Sequence, residues 1–308
     1  MTSMLAWAVG LPAAEVLIDR VPALTLTAAR LTLAALALIL AWAVIEGPRA
    51  LVRVSGVPGL LVGFGGVGLA ATSLVIGQGL TDPVTAAVIS ATMPVWGMAL
   101  EVIFDGRRVT PGLLLGVGLS IAGGLTALIG SSAQEAQNLP LGALMILISV
   151  LAFLIGSRMT VTAMPENGAL ARTAVTVAGG AVGATMAAVI ALPFGIVPPP
   201  ISAFDWGDLG ALTLFAVFGM SICQLFWIAS VPHLGVGLAS FHMNAATFYV
   251  MAMMAALGAP WIWAQAAGAA LVALGVLAAQ SSPTPVLQHE PNTRGGQGAA
   301  APCPARRP

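Results

Sequence analysis

The chain has 308 residues, 58% of them hydrophobic and only 7% charged, with eleven basic residues balancing eleven acidic ones. A water-soluble domain carries about a quarter charged residues, so this composition cannot cover a water-facing surface and belongs to an integral membrane protein. Zero net charge argues against nucleic acid as a partner. The lack of any lysine excludes a Walker-type phosphate loop and a Schiff-base lysine on this chain.

A helix needs roughly 20 apolar residues to cross the hydrocarbon. Ten runs approach that length, at 4–20, 22–45, 58–79, 83–104, 111–130, 140–160, 168–192, 208–230, 235–257 and 260–280. The first begins without a basic leader and reads as a transmembrane helix, not a cleaved signal peptide. Turn chemistry separates the runs: Val21-Pro22, Asp82-Pro83, Thr110-Pro111, Pro165-Glu166-Asn167-Gly168 and Pro198-Pro199-Pro200. None shows the alternating period of barrel strands. Residues 281–308 are rich in proline, glycine and polar residues and cannot bury enough apolar surface to order themselves. They are expected to form a disordered cytoplasmic tail, in which His289 and Cys303 carry no chemistry.

Arginine placement orients these runs. With the N-terminus in the cytoplasm, Arg49, Arg53, Arg107, Arg108, Arg158, Arg172, Arg294, Arg306 and Arg307 fall on the inside. The outside holds Arg20 with Asp19, Asp82, Glu135, Asp205 and Asp208. This is the positive-inside asymmetry, and it predicts both termini in the cytoplasm of a multi-pass protein of the inner cell membrane.

A shift of about 151 residues brings Phe64 onto Phe215 and Gly68 onto Gly219; after a one-residue slip, Gly116 and Gly123 fall on Gly268 and Gly275. Each copy holds five helices, an odd number, so the copies must be inverted in the membrane. The expected organisation is all-α, with ten transmembrane helices in two inverted five-helix repeats, 1–135 and 136–280, followed by the tail at 281–308. Inverted repeats are a recurrent design of secondary transporters, with the substrate site near the midplane between copies.

An ordered set of residues then carries a family resemblance: Trp7 with Gly10, Pro22 with Arg30, Ala71-Thr72-Ser73, Pro94, Arg108-Val109-Thr110, Gly116 and Gly123, then Gln265, Gly268 and Gly275. Over residues 1–280 the chain resembles a drug/metabolite transporter of the EamA type. The resemblance implies a secondary active transporter that exports a small metabolite or amino-acid-like compound. The chain departs from the family pattern at Gly106-Arg107, at Asn244-Ala245 where a proline is usual, and at Ala259 where a glutamate is usual. The expected partners are a small-molecule substrate, a coupling proton and the lipid bilayer, with a homodimer as a further assembly and no cofactor or metal. The competing class is a membrane-embedded enzyme acting on lipid, which would need Cys223 and His242 to meet as thiolate and base, or a non-transporting membrane subunit.

Glu15 and Arg30 are the deepest charges. They lie about six and nine residues from the turn at Val21, roughly 9 and 13 Å deep at 1.5 Å per residue. Ionisable groups at depth are costly and point to function: Glu15 toward a proton or a cationic group, Arg30 toward an anionic one. An ion pair between them that locks the first two runs together is the structural alternative. Pro94 removes a backbone donor and marks a hinge in the run 83–104 or a packed kink. Ser90 and Thr92 are placed to re-satisfy the freed backbone. Gln224, His242, Asn244 and Tyr249 form a polar cluster in the second half, and Gln78 and Trp96 are weaker candidates for a cavity wall. Gly59/Gly63, Gly112/Gly116 and Gly179/Gly183 read as close helix contacts. Glu101 reads as part of a surface network with Arg107 and Arg108.

Overall fold

The computed structural model describes residues 2–54, 56–106, 109–129, 138–240 and 243–280, and the regular elements among them are all helical. α1 (Thr2–Ile18), α2 (Ala23–Ile45) and a short α3 (Pro48–Arg53) are followed by α4 (Val57–Gly79). α5 (Pro83–Ser90), α6 (Met93–Asp105), α7 (Pro111–Ile129), α8 (Leu139–Ala163) and α9 (Ala169–Ala191) come next. α10 comprises Trp206–Thr213, a wide-turn segment Leu214–Ile222 and Cys223–Ala239; α11 (Met243–Ala256) and α12 (Trp263–Gln280) follow. Among the described residues, six spans are long and apolar enough to cross a membrane: Ala23–Ile45, Val57–Gly79, Pro83–Phe104, Leu139–Ala163, Ala169–Phe194 and Trp206–Gly237. Thr2–Ile18, Pro111–Ala127, Ala246–Ala256 and Trp263–Ala278 are shorter apolar helices. Large apolar side chains such as Leu40, Val44, Leu125, Val182, Ile190 and Leu277 point outward. A surface this apolar suits a hydrocarbon solvent and not water.

Helix starts follow the turn residues. Asp82 caps α5, its carboxylate accepting the Thr85 backbone N–H at 2.8 Å, and Pro83 occupies the first turn. α10 opens on a reciprocal box: Asp205 accepts the Asp208 N–H at 2.8 Å while Asp208 accepts the Asp205 N–H at 3.1 Å. Asp208 also pairs with Arg20 at 2.9 Å, which ties the turn between α1 and α2 to the start of α10.

Two expected runs are interrupted. The run 83–104 divides at Ala91-Thr92, with Pro94 in the first turn of α6. A side chain holds this break: the Thr92 hydroxyl donates to the Ile89 carbonyl at 2.7 Å and accepts Trp96 Nε1–H at 3.1 Å. The boundary expected ahead of the run 235–257 lies at Gly235. The helix of α10 continues through Pro232 and stops at Gly235, whose φ of 74° and ψ of 164° are non-helical and adopted without strain only by glycine; helix resumes beyond it to Ala239, and α11 begins at Met243.

α4 lies against α8 and α9, and the wide-turn segment of α10 lies against α1 and α2. α2 packs on α9, α7 on α12 and α5 on α11. Missing side chains permit the closest of these contacts. A Cβ on Gly219 would stand 2.8 Å from Gly10 Cα. A Cβ on Gly63 would run into the Thr176 carbonyl and one on Gly179 into that of Leu60, so these two small-residue patterns do mark close packing. The α7–α12 contact is reciprocal. A Cβ on Gly268 would lie 2.6 Å from Gly123 O, one on Gly123 would lie 2.6 Å from Gly268 O, and one on Gly275 would lie 2.8 Å from Gly116 O.

Candidate functional site

The helices converge on a buried cavity of about 50 Å³. α1 contributes Met4 and Trp7, α2 Arg30, and α8 Ser149 and Phe153; Ser90 and Met93 come from the two sides of the α5/α6 break. α10 adds Met220 and Gln224, and Met243 comes from the first turn of α11. The wall is therefore built by both halves of the chain and is mostly apolar, with a few polar groups.

Arg30 dominates its chemistry. The residue is 3% exposed. Its guanidinium carbon lies 3.8 Å from the centroid of the Phe215 ring, and Nη2 donates to the Gly219 carbonyl at 3.1 Å. The close approach of Gly219 to Gly10 seats this part of α10 on α1, and the Ser221 hydroxyl ties the same segment to α2 through the Ala34 carbonyl at 3.1 Å. Among the described residues, Nε and Nη1 have no partner. They carry three of the five N–H donors of a guanidinium, and a buried cation left this incompletely paired is strongly unfavourable. Gln224, 2% exposed, lines the same cavity. The structure thus brings Arg30 and Gln224 together.

Glu15 belongs elsewhere. Its Oε2 accepts Gln78 Nε2–H at 3.2 Å, and the same Gln78 amide donates to the Leu11 carbonyl at 2.9 Å. Glu15 lines a second cavity of about 80 Å³ with Asp82, Met251, Trp261 and Gln265. There Asp82 accepts Thr85 Oγ1–H at 2.7 Å and Gln265 Nε2–H at 3.0 Å. The expected Glu15–Arg30 ion pair is not formed. Depth along a helix does not fix rotation about it, and the wide-turn segment of α10 packs on both α1 and α2. Arg30 meets that segment while Glu15 faces α4 and α5.

The remaining candidates separate in the same way. Gln78 is buried beside Glu15 and does not line the Arg30 cavity. Trp96 and Tyr249 are half-buried and pack into the main apolar core, not the cavity wall. His242 lies outside the described residues, and so does the side chain of Asn244. Pro94 sits one residue beyond Met93, next to the cavity. Glu101 is half-buried and its carboxylate accepts the Gly237 backbone N–H at 3.2 Å, while Arg107 and Arg108, its expected network partners, lie outside the described residues. Cys223 is buried, with its sulfur 3.6 Å from the Ser3 hydroxyl, which donates to the Cys223 carbonyl at 2.9 Å. Sequence reasoning gave no cavity role to Met93, Phe153 or Ser149, because one more methionine, phenylalanine or serine in an apolar run carries no signal. It also read Asp82 as a loop charge, although Asp-Pro before an apolar run is itself a helix-start signal.

A broken helix, a buried guanidinium and walls drawn from both halves make this cavity the candidate site. Residues 1–129 match the EamA-like transporter family. With the apolar spans described above, this match over the first part of the chain indicates a multi-pass membrane protein. No curated protein matches the chain. A solved structure described as "Crystal structure of protein" aligns over 91% of this chain and 94% of its own, with a TM-score of 0.67 and 20% identity. At that identity the likeness is one of fold.

Proposed function

We propose that the protein is a secondary active transporter that exports a small metabolite across the inner membrane by alternating access. Its ten helices form two inverted five-helix repeats, 1–135 and 136–280, with both termini cytoplasmic. The observation that carries this reading is the buried cavity at Arg30, walled by both halves. About 50 Å³ accommodates a water or two, whereas small-molecule pockets occupy roughly 300–1,000 Å³. The described cavity is therefore too small for a metabolite, and a substrate enters only when the walls part.

The packing supports an inverted duplication. The wide-turn segments Gly63–Val67 and Leu214–Ile222 begin 151 residues apart, the shift that aligns the two halves of the sequence. Each leans on the first two long helices of the other half. The reciprocal Gly123–Gly268 and Gly116–Gly275 contacts are what a pseudo-two-fold axis between α7 and α12 would produce. Rocking of one half against the other opens the cavity to alternate sides, with the α5/α6 break at Pro94 as a hinge.

Glu15 is the coupling-proton site in this scheme. It is the ionisable partner of Gln78 in the second cavity and lies apart from Arg30. Counterflow in proteoliposomes tests the whole reading, using metabolites whose export into the medium depends on the protein. Saturable accumulation is expected, and Glu15→Gln should preserve exchange while abolishing uptake driven by a pH gradient. Failure of every such metabolite to accumulate would reject transport. Unchanged pH-driven uptake in Glu15→Gln would remove Glu15 from coupling.

A further inference from the structure

We infer that the Arg30 cavity selects small organic monocarboxylates with an apolar body, in preference to zwitterions, dianions and cations. The inference rests on the transport reading above and names the substrate class of that same site. Three observations carry it.

The first is charge. Among the described residues, Arg30 is the only Asp, Glu, Lys or Arg that lines the cavity, and its Nε and Nη1 lack acceptors. A site that closes inside a bilayer is held in a low-dielectric medium, where net charge is costly. One monoanion on Arg30 brings the closed site to neutrality. A dianion leaves an excess negative charge, a zwitterion leaves the arginine uncompensated, and a cation doubles the positive charge.

The second is the acceptor chemistry. Planar N–H donors match the two oxygens of a carboxylate, and these charge-assisted bonds are roughly twice as strong as neutral ones. The Phe215 ring already covers the guanidinium at 3.8 Å and Nη2 already holds the Gly219 carbonyl. The fork is therefore oriented before any ligand arrives. Gln224, buried in the same wall, offers a further neutral donor.

The third is the rest of the wall. Trp7, Phe153 and the methionines Met4, Met93, Met220 and Met243 line the cavity with Arg30. Methionine side chains are unbranched and adaptable, so this lining can widen around an apolar body without losing contact. An ammonium group would find no carboxylate there, because Glu15 and Asp82 open onto the other cavity.

A charge ladder on one constant body tests the inference. The full chain in lipid nanodiscs is titrated calorimetrically with phenylacetate, L-phenylalanine, phenylsuccinate and 2-phenylethylamine. Phenylacetate should bind about tenfold or more tighter than each of the others, the size expected for one charged hydrogen-bonded contact. Arg30→Gln should abolish the preference and Arg30→Lys should retain part of it. The wild-type ladder stands by itself if Arg30→Gln fails to fold, and Met93→Trp, which fills the cavity from another wall, should then abolish phenylacetate binding. Equal or tighter binding of phenylalanine or phenylethylamine overturns the inference, as does phenylacetate binding that survives both Arg30→Gln and Met93→Trp. Phenylacetate counterflow in proteoliposomes separates the two levels. Selective binding without flux would reject the transport reading and leave the ligand class standing. Flux of other metabolites without the monoanion preference would do the reverse.

Discussion

Arg30 lies within a few ångströms of an aromatic ring and one carbonyl, and the contact that places it depends on two residues with no side chain. Gly10 and Gly219 touch backbone to backbone, which brings the Gly219 carbonyl within 3.1 Å of Nη2. Gly219→Ala would put a methyl 2.8 Å from Gly10 Cα. Overpacking of this kind costs about 1–3 kcal/mol, so the variant should lose its monodisperse fluorescence-detected gel-filtration peak at a lower temperature than wild type. A second residue-scale prediction concerns Asp208, which is buried, closes the capping box of α10 from its third position and pairs with Arg20. Asp208→Ala removes a cap and a charge partner and should cost about 1–2 kcal/mol. Arg20→Met should cost less, because the Arg20 side chain is 57% exposed and water screens it. Equal losses in the same heating assay would show that the ion pair, not the cap, holds the α10 start. The chemistry at this scale was partly legible. A lone deep arginine in an apolar helix stands out in any sequence, but its partner does not, because Phe215 and Gly219 come from a helix about 190 residues away.

The break between α5 and α6 is the element that links packing to transport. Proline removes the donor, yet the hydrogen bonds at the break are made by Thr92, which bridges Ile89 and Trp96. Thr92→Val deletes both bonds at nearly constant volume. It should raise hydrogen exchange at the amides of residues 91–96 well above the wild-type rate. Pro94→Ala restores a donor to the first turn of α6, so it should leave exchange there unchanged or slower and should reduce flux in the proteoliposome assay if the break works as a hinge. Unchanged flux with Pro94→Ala would make this a packed kink. The break itself was readable, since a proline in an apolar run announces one. The break at Gly235 was readable too, since one apolar run ends and the next begins there, and its φ of 74° is non-helical.

At the scale of the whole molecule, charge predicts orientation. With Cys223 and Cys303 replaced by serine, Glu166→Cys in the α8–α9 turn should react with an impermeant maleimide only after permeabilisation. Phe194→Cys, beyond the end of α9, should react in intact cells. Labelling of both in intact cells would contradict the assigned topology, whereas exchanged behaviour would invert it. The packing of α4 on α8 and α9, and of α10 on α1 and α2, interleaves the two halves. Neither half then encloses the cavity alone, so a fragment ending near residue 135 should not bind phenylacetate.

Composition, apolar run length and turn residues alone determined that this chain is helical and membrane-embedded, because solvation by lipid forces backbone groups to pair within helices. They also marked the helix starts at Pro22, Pro83 and Pro111, since capping and proline effects act within a few residues. Tertiary structure alone decided which polar groups share a cavity. Glu15 and Arg30 are 15 residues apart at matched depth, yet the rotation of α1 and α2 and the insertion of the wide-turn segment of α10 send them into different sites. That rotation is set by contacts such as Gly10–Gly219 and Ser221–Ala34 between residues far apart in the chain, and no local pattern encodes them.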